Sequence, residues 1–202
     1  MSQQVTLFTK TPRVQHFALP DATVWLVDGF LAAPDANRWM QHLTTTLPWR
    51  QEHITMFGRQ HPLPRLTCWI GDAGRDYAYS GIEQQPSPWG SLAPLRQQIS
   101  SRTGVHFTSV LANRYRCGND TVSWHADDEP ELGLNPTIAS LSLGATRRFA
   151  MKHKTKDTRL TLELLPGSLL VMSGAMQQHW LHSLPRTRKP VGERINLTFR
   201  CL

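Results

Sequence analysis

Apolar positions recur along this chain with two different periods. In the first half, Trp39, Leu43 and Leu47 fall at helical spacing behind Pro34, and Leu92, Leu95 and Ile99 do the same between Pro88 and Gly104. Proline suits the first turn of a helix because the amide it lacks has no intrahelical partner there, and glycine past the last turn adopts the left-handed conformation that ends it. The pattern predicts helices from Pro34 and over 88–102, with a strand at 23–28 ahead of the first. Beyond Gly104 the period shortens to two. Short runs rich in β-branched and apolar residues alternate with turn signals such as Cys-Gly-Asn-Asp at 117–120 and Pro-Gly at 166–167. Strands are predicted at 107–115, 122–125, 137–143, 148–153, 159–164, 168–172, 179–182 and 194–200. So many short strands in succession imply a sandwich or jelly roll, with helices first and an all-β half after them.

A chain of 202 residues with scattered prolines and no internal repeat is expected to form one domain. Its formal charge of +7 suits a polyanionic partner. Much of the excess is local. Arg147, Arg148, Lys152, Lys154, Lys156 and Arg159 face a single acid, Asp157, and a second basic run holds Arg186, Arg188, Lys189, Arg194 and Arg200 against Glu193. Isolated runs of this kind are usually solvated loops; their clustering favours a nucleic-acid surface. Cys68, Cys117 and Cys201 show no metal or disulfide spacing, which points to a reducing compartment. With no signal-like N-terminus and no apolar run long enough for a membrane span, a soluble, cytoplasmic monomer without an obligate protein partner is expected.

The chemistry concentrates in the second half. His125-Ala-Asp127 sets an imidazole and a carboxylate two residues apart, and positions i and i+2 of a strand share a face. His182 is the candidate third ligand. His179 competes for that place, but residues three apart lie on opposite faces of a strand, so only one points inward. Two imidazoles and one carboxylate leave coordination positions for a bidentate co-substrate and oxygen, the donor set of non-haem iron(II) oxygenases. A lone His-x-Asp is usually no more than a surface hydrogen-bonded pair. His16, His42, His53, His61, His106 and His153 have no partner at ligand spacing and are assigned no chemistry.

The run 194–200 alternates strictly, with Arg194, Asn196, Thr198 and Arg200 on one face and Ile195, Leu197 and Phe199 on the other. Alone, it reads as a strand with one face in water. Beside a metal site the polar face becomes a dicarboxylate cradle, because guanidinium groups give charge-assisted, bidentate hydrogen bonds. Asn113 and Tyr115, again i and i+2, would add donors from a neighbouring strand.

Taken together, Asn-Arg-Tyr (113–115), His-Ala-Asp-Asp-Glu (125–129), Ser-Leu-Ser-Leu-Gly (140–144), Leu-Pro-Gly-Ser-Leu-Leu-Val-Met (165–172), His-Trp-Leu-His-Ser-Leu-Pro (179–185) and Arg-Ile-Asn-Leu-Thr-Phe-Arg (194–200) resemble the AlkB family, most of all members acting on double-stranded DNA. The resemblance covers nearly all of the second half and continues more loosely back to about Asp28. It implies an α+β, mainly β fold: a double-stranded β-helix core over 105–202, with N-terminal helices and a substrate-recognition hairpin lid over 1–104. Iron(II) would be held by His125, Asp127 and His182, with 2-oxoglutarate and O2 as co-substrates. Asn113 and Arg200 would lie near the C1 carboxylate, and Tyr115, Arg194 and Asn196 near the distal one, with Thr198 lining the pocket.

The implied reaction is oxidative demethylation of bases such as 1-methyladenine and 3-methylcytosine in DNA or RNA, releasing formaldehyde, succinate and CO2. The resemblance also gives roles to Met56-Phe57-Gly58-Arg59, Pro64-Arg65 and the 77–81 segment. Phe57, with Gly58 in the same substrate-binding segment, would enter the base stack from a hairpin tip, Arg59 and Arg65 would hold phosphates or the opposite strand, and Tyr77 and Tyr79 would wall the extruded base. Read without the family, Phe57 is a core aromatic and the tyrosines are ordinary strand residues. A base methylated at a ring nitrogen is cationic, so Asp128 or Glu129 is expected to meet its exocyclic amine; a solvated acidic turn before Pro130 is the plain alternative. Two other functions remain open: an oxygenase that hydroxylates a protein or small molecule, and a non-catalytic nucleic-acid binder.

Overall fold

A computed structural model describes residues 12–56, 58–73 and 86–202, and the backbone of two short strands at 77–79 and 82–84. In chain order the elements are Arg13–Leu19 (β1), Ala22–Asp28 (β2), Ala33–Thr46 (α1), His53–Met56 (β3), Arg59–Pro62 (β4), Leu66–Gly71 (β5), Tyr77–Tyr79 (β6) and Ile82–Gln84 (β7). There follow Ala93–Thr103 (α2), Ser109–Tyr115 (β8), Val122–His125 (β9), Ile138–Gly144 (β10), Arg147–His153 (β11) and Arg159–Leu164 (β12). Leu169–Ser173 (β13), Met176–His179 (α3), Trp180–Leu184 (β14) and Arg194–Arg200 (β15) complete the set.

Two antiparallel sheets face each other. The larger has seven strands in the order β1-β2-β13-β10-β15-β8-β5, and the smaller has four, β12-β11-β14-β9. Strand alternation sorts the larger sheet's residues into two interiors. Ala139, Leu141 and Leu143 of β10 and Ile195, Leu197 and Phe199 of β15 pack with Leu43 of α1 and Leu95 and Ile99 of α2. On the other side, Leu170 and Met172 of β13 meet Phe149, Met151 and Leu184 of the smaller sheet. The sheet pair is a jelly roll with helices on its outer face. Every residue of β15 is buried, so its polar face looks into the space between the sheets and not into water.

The helices form where apolar spacing suggests, except that the one expected from Pro88 begins at Ala93, with Pro94 and not Pro88 in its first turn. Pro34 sits in the first turn of α1, and Gly104 ends α2 in the left-handed region at φ 72°. The expectation of helices first and strands second is corrected, because β1, β2 and β5 belong to the larger sheet. Strand β1 carries Arg13, Gln15 and His16 and lies at the sheet edge, where no apolar alternation is required. A second correction concerns the strand expected over 179–182: His179 closes the short turn α3, and β14 begins at Trp180.

Candidate active site

The smaller sheet brings the histidines together. His182 of β14 pairs directly with His125 at the end of β9, their ring centroids 4.2 Å apart. Asp127 lies two residues beyond β9, is 1% exposed, and turns Oδ1 toward His125 Nε2 at 3.8 Å. One ligand atom from each of His125, Asp127 and His182 lies within 4.8 Å of the others. The expectation that a continuing strand carries both His125 and Asp127 is corrected: β9 stops at His125, and Asp127 is placed by tertiary contacts. Its main-chain N–H donates to Gln177 Oε1 at 3.0 Å, and its Oδ2 accepts Arg200 Nη2 at 2.9 Å.

What is left over fits a metal. His125 Nδ1 faces the Ser123 carbonyl at 2.8 Å, so that nitrogen carries the proton and Nε2 keeps its lone pair. Asp127 Oδ1 and His182 Nδ1 are buried with no hydrogen-bond partner. Burial pushes the His182 imidazolium pKa down to about 3, reinforced by neighbouring His125, so the ring is neutral at physiological pH. Burial pushes the Asp127 carboxyl up, but Arg200, His182 and His125 outweigh it and hold the pKa below the usual carboxylate range. A neutral His182 imidazole and an ionised Asp127 carboxylate are forms that bind a divalent ion.

Adjoining this trio, Asn113, Tyr115, Arg194, Asn196, Thr198 and Arg200 all line one cavity, as their spacing predicts. Cross-strand register explains it, since Tyr115 pairs with Arg194 and Asn113 with Asn196 across β8 and β15. Arg194 is 1% exposed and donates to Ser142 Oγ at 3.0 Å; its Nε is buried without a partner. Burial lowers its pKa to about 10, which leaves it cationic at neutral pH. Asn196 Nδ2 donates to Ser140 Oγ at 2.8 Å, and Thr198 Oγ1 donates to Asn196 Oδ1 at 3.0 Å. With Arg65, Arg194 and Arg200 set against Asp127, the cavity is electropositive and suits a small dicarboxylate. Sequence reasoning missed Ser140 and Ser142, although two hydroxyls at i and i+2 within Ser-Leu-Ser-Leu are a readable sign of a polar inner face.

Substrate-side expectations meet a mixed outcome. Strands β3 and β4 form a hairpin with Gly58 at φ 72° in its turn and Arg59 exposed beside it. Phe57 lies outside the described residues. Tyr77 and Tyr79 fall on β6, which pairs with β7. Arg65 does not lie on the surface where a phosphate would reach it: it is 4% exposed, its Nε donates to Asn113 Oδ1 at 2.8 Å, and it lines the same cavity as Arg194 and Arg200. Because β9 ends early, Glu129 does not share a strand face with the ligands. It lines a separate cleft with Asp128, Leu134 and Gln177, while exposed Asp128 meets Lys154 Nζ at 3.4 Å.

A second group, Asp21, His153 and His179, has ligand-like proximity. Here the hydrogen bonds argue against a metal. His153 Nδ1 accepts the main-chain N–H groups of Lys156 at 2.9 Å and Thr155 at 3.2 Å, so its proton sits on Nε2 and points at Asp21 Oδ2, 3.1 Å away. Lys156 Nζ binds the same carboxylate oxygen. The group is a closed ion-paired link between the β1–β2 turn and the smaller sheet.

Comparison with known proteins agrees with the first group's donor set and the fold around it. The model of the 2OG-Fe(II) oxygenase superfamily matches residues 23–200. The chain belongs to that superfamily. It is 41% identical over 188 residues to alpha-ketoglutarate-dependent dioxygenase alkB homolog 3 of Bos taurus, covering 88% of this chain and 65% of that protein. It is 42% identical over 156 residues to human DNA oxidative demethylase ALKBH2, covering 73% of this chain and 60% of that one. The chain thus spans less than two thirds of the length of these curated relatives. These likenesses make it an AlkB-type member, and the superfamily implies iron(II), 2-oxoglutarate and O2. A solved structure of OsALKBH1 shares the fold, with a TM-score of 0.67 at 18% identity over 94% of this chain and 100% of that one.

Proposed function

We propose that this chain is an oxidative dealkylase of N-alkylated nucleobases, acting on lesions such as 1-methyladenine and 3-methylcytosine in DNA. The observation that carries the reading is a His125–Asp127–His182 trio opening onto a buried, arginine-lined cavity, since one set of residues then serves both a divalent metal and a dicarboxylate. The names of the relatives supply the substrate class. A cleft lined by Arg148, Arg186, Arg188 and Lys189, all exposed, supports a polyanionic partner.

His125, Asp127 and His182 would hold the iron, and Arg194 with Arg200 and Asn113 would orient the 2-oxoglutarate carboxylates. Bound iron(II) with 2-oxoglutarate and O2 supplies the oxidation of the N-methyl carbon, with succinate and CO2 as coproducts and the methyl carbon leaving as formaldehyde. The protein's own work is positional and electrostatic. Arg200 offsets the Asp127 charge, and the apolar walls Leu111, Phe149, Met172 and Leu184 would limit water around a bound metal.

The test is mass spectrometry of single- and double-stranded oligonucleotides bearing 1-methyladenine or 3-methylcytosine, incubated with iron(II), ascorbate and 2-oxoglutarate. Loss of the methyl mass, abolished in His125→Ala, is expected. Intact methylated oligonucleotide with full succinate production from another substrate would overturn the substrate class.

A further inference from the structure

Because β9 ends at His125, strand pleating does not align Asp127 with it, and something else must hold the carboxylate in place. Asp127 Oδ2 is taken by Arg200 and Oδ1 is left free for a metal, so the carboxylate's position depends on where its own main chain is fixed. The hydrogen bond described for its main-chain N–H is the one to Gln177 Oε1, at 3.0 Å. We propose that Gln177 is a positioning residue for the metal site, its side-chain carbonyl fixing the Asp127 main chain so that Oδ1 faces the two imidazoles.

Three features support this assignment, which rests on the iron reading above. Gln177 is 1% exposed, yet its Nε2 is buried without a partner. A residue there only to fill space would be apolar, since an unpaired buried donor costs stability that a methionine of similar size would not. The acceptor oxygen is what an apolar residue cannot supply, and only the amide orientation with Oε1 toward Asp127 satisfies the N–H. Gln177 also belongs to α3, the turn leading directly into β14, which carries His182. One side chain therefore ties the carboxylate ligand to the segment that delivers the second imidazole. From the far side, Lys154 Nζ donates to the Gln177 main-chain carbonyl at 3.1 Å, which steadies α3 against the end of β11.

The experiment uses cobalt(II), a redox-stable stand-in, titrated calorimetrically into the full chain with 2-oxoglutarate present, together with the visible d–d spectrum and the melting temperature of the metal-free protein. Gln177→Met and Gln177→Asn remove the acceptor from its position, and Gln177→Glu retains an oxygen there. Loss of an outer hydrogen bond to a ligand typically weakens metal binding roughly 10- to 100-fold, and that is expected for Met and Asn, with an altered spectrum. Glu should stay within about threefold of the parent, as should Gln178→Ala on the exposed neighbour, because both leave the outer hydrogen bond in place. Parental cobalt affinity in a folded Met or Asn variant overturns the proposal. If neither folds, a Glu variant with a tenfold or greater loss overturns it by itself, and parental behaviour of Glu sustains it. Failure of the parent protein to bind cobalt(II) would instead overturn the iron reading.

Discussion

Acidification should destabilise the metal-free protein through His182. In the folded chain burial holds this imidazolium pKa at about 3, against 6.5 for an unperturbed histidine. The unfolded chain therefore binds a proton below pH 6.5 that the folded chain refuses until near pH 3, and stability falls with falling pH across that window. The contribution is fully present above 6.5 and has been lost once pH drops through 3. At about 1.4 kcal/mol per pH unit of unmatched protonation, going from pH 7 to pH 5 removes about 2 kcal/mol. Urea unfolding at a series of pH values with a chelator present measures this directly. His182→Gln, which cannot titrate, should lose about 2 kcal/mol less over the same interval. An identical pH slope in parent and variant would refute the claim that the folded cavity keeps this ring neutral.

Other consequences are independent of that one. Arg200→Leu strands the buried Asp127 carboxylate, so urea unfolding of the metal-free variant should show a loss of about 3–5 kcal/mol, recovered in part by cobalt(II). Arg194→Leu removes a charge-assisted donor worth about 1.5–3 kcal/mol, so calorimetry should find 2-oxoglutarate bound roughly 10- to 100-fold more weakly, with cobalt affinity retained. Replacing Arg148, Arg188 and Lys189 by Gln should weaken oligonucleotide binding and flatten its dependence on log salt by about 0.9 for each phosphate no longer neutralised; an unchanged slope would remove this cleft from the nucleic-acid surface.

Where local pattern and tertiary demand coincide, sequence and structure agree. Val122–His125, Arg159–Leu164 and Arg194–Arg200 have the boundaries that alternation and turn residues predict. The grouping of the residues expected to meet the co-substrate is legible for the same reason, because one polar face of β15 and two positions of β8 become neighbours as soon as those strands pair. The polar face of β15 reads as solvent-facing because alternation reports two environments without saying that both are interior. The hairpin strand β4 is exposed throughout and carries no apolar rhythm, and the edge strand β1 offers only Phe17 and Leu19 on its inner face, too short an alternation to stand out. Asp127 joins the trio for a reason that its spacing from His125 does not contain. Its placement comes from Gln177 and Arg200, 50 and 73 residues away along the chain, and no local spacing encodes such contacts. Arg65 likewise has the local character of a surface cation, yet Asn113 takes its Nε inside the barrel.

The central claim is convergence of His125, Asp127 and His182 on one metal ion that also takes the keto acid. Anaerobic titration of iron(II) into the protein with 2-oxoglutarate, followed by the visible charge-transfer absorption of the metal-bound keto acid, tests it most directly. A band that saturates at a single equivalent of iron and vanishes in His125→Ala and Asp127→Ala is the result expected. A band that persists in both variants, or never forms in the parent chain, would contradict it.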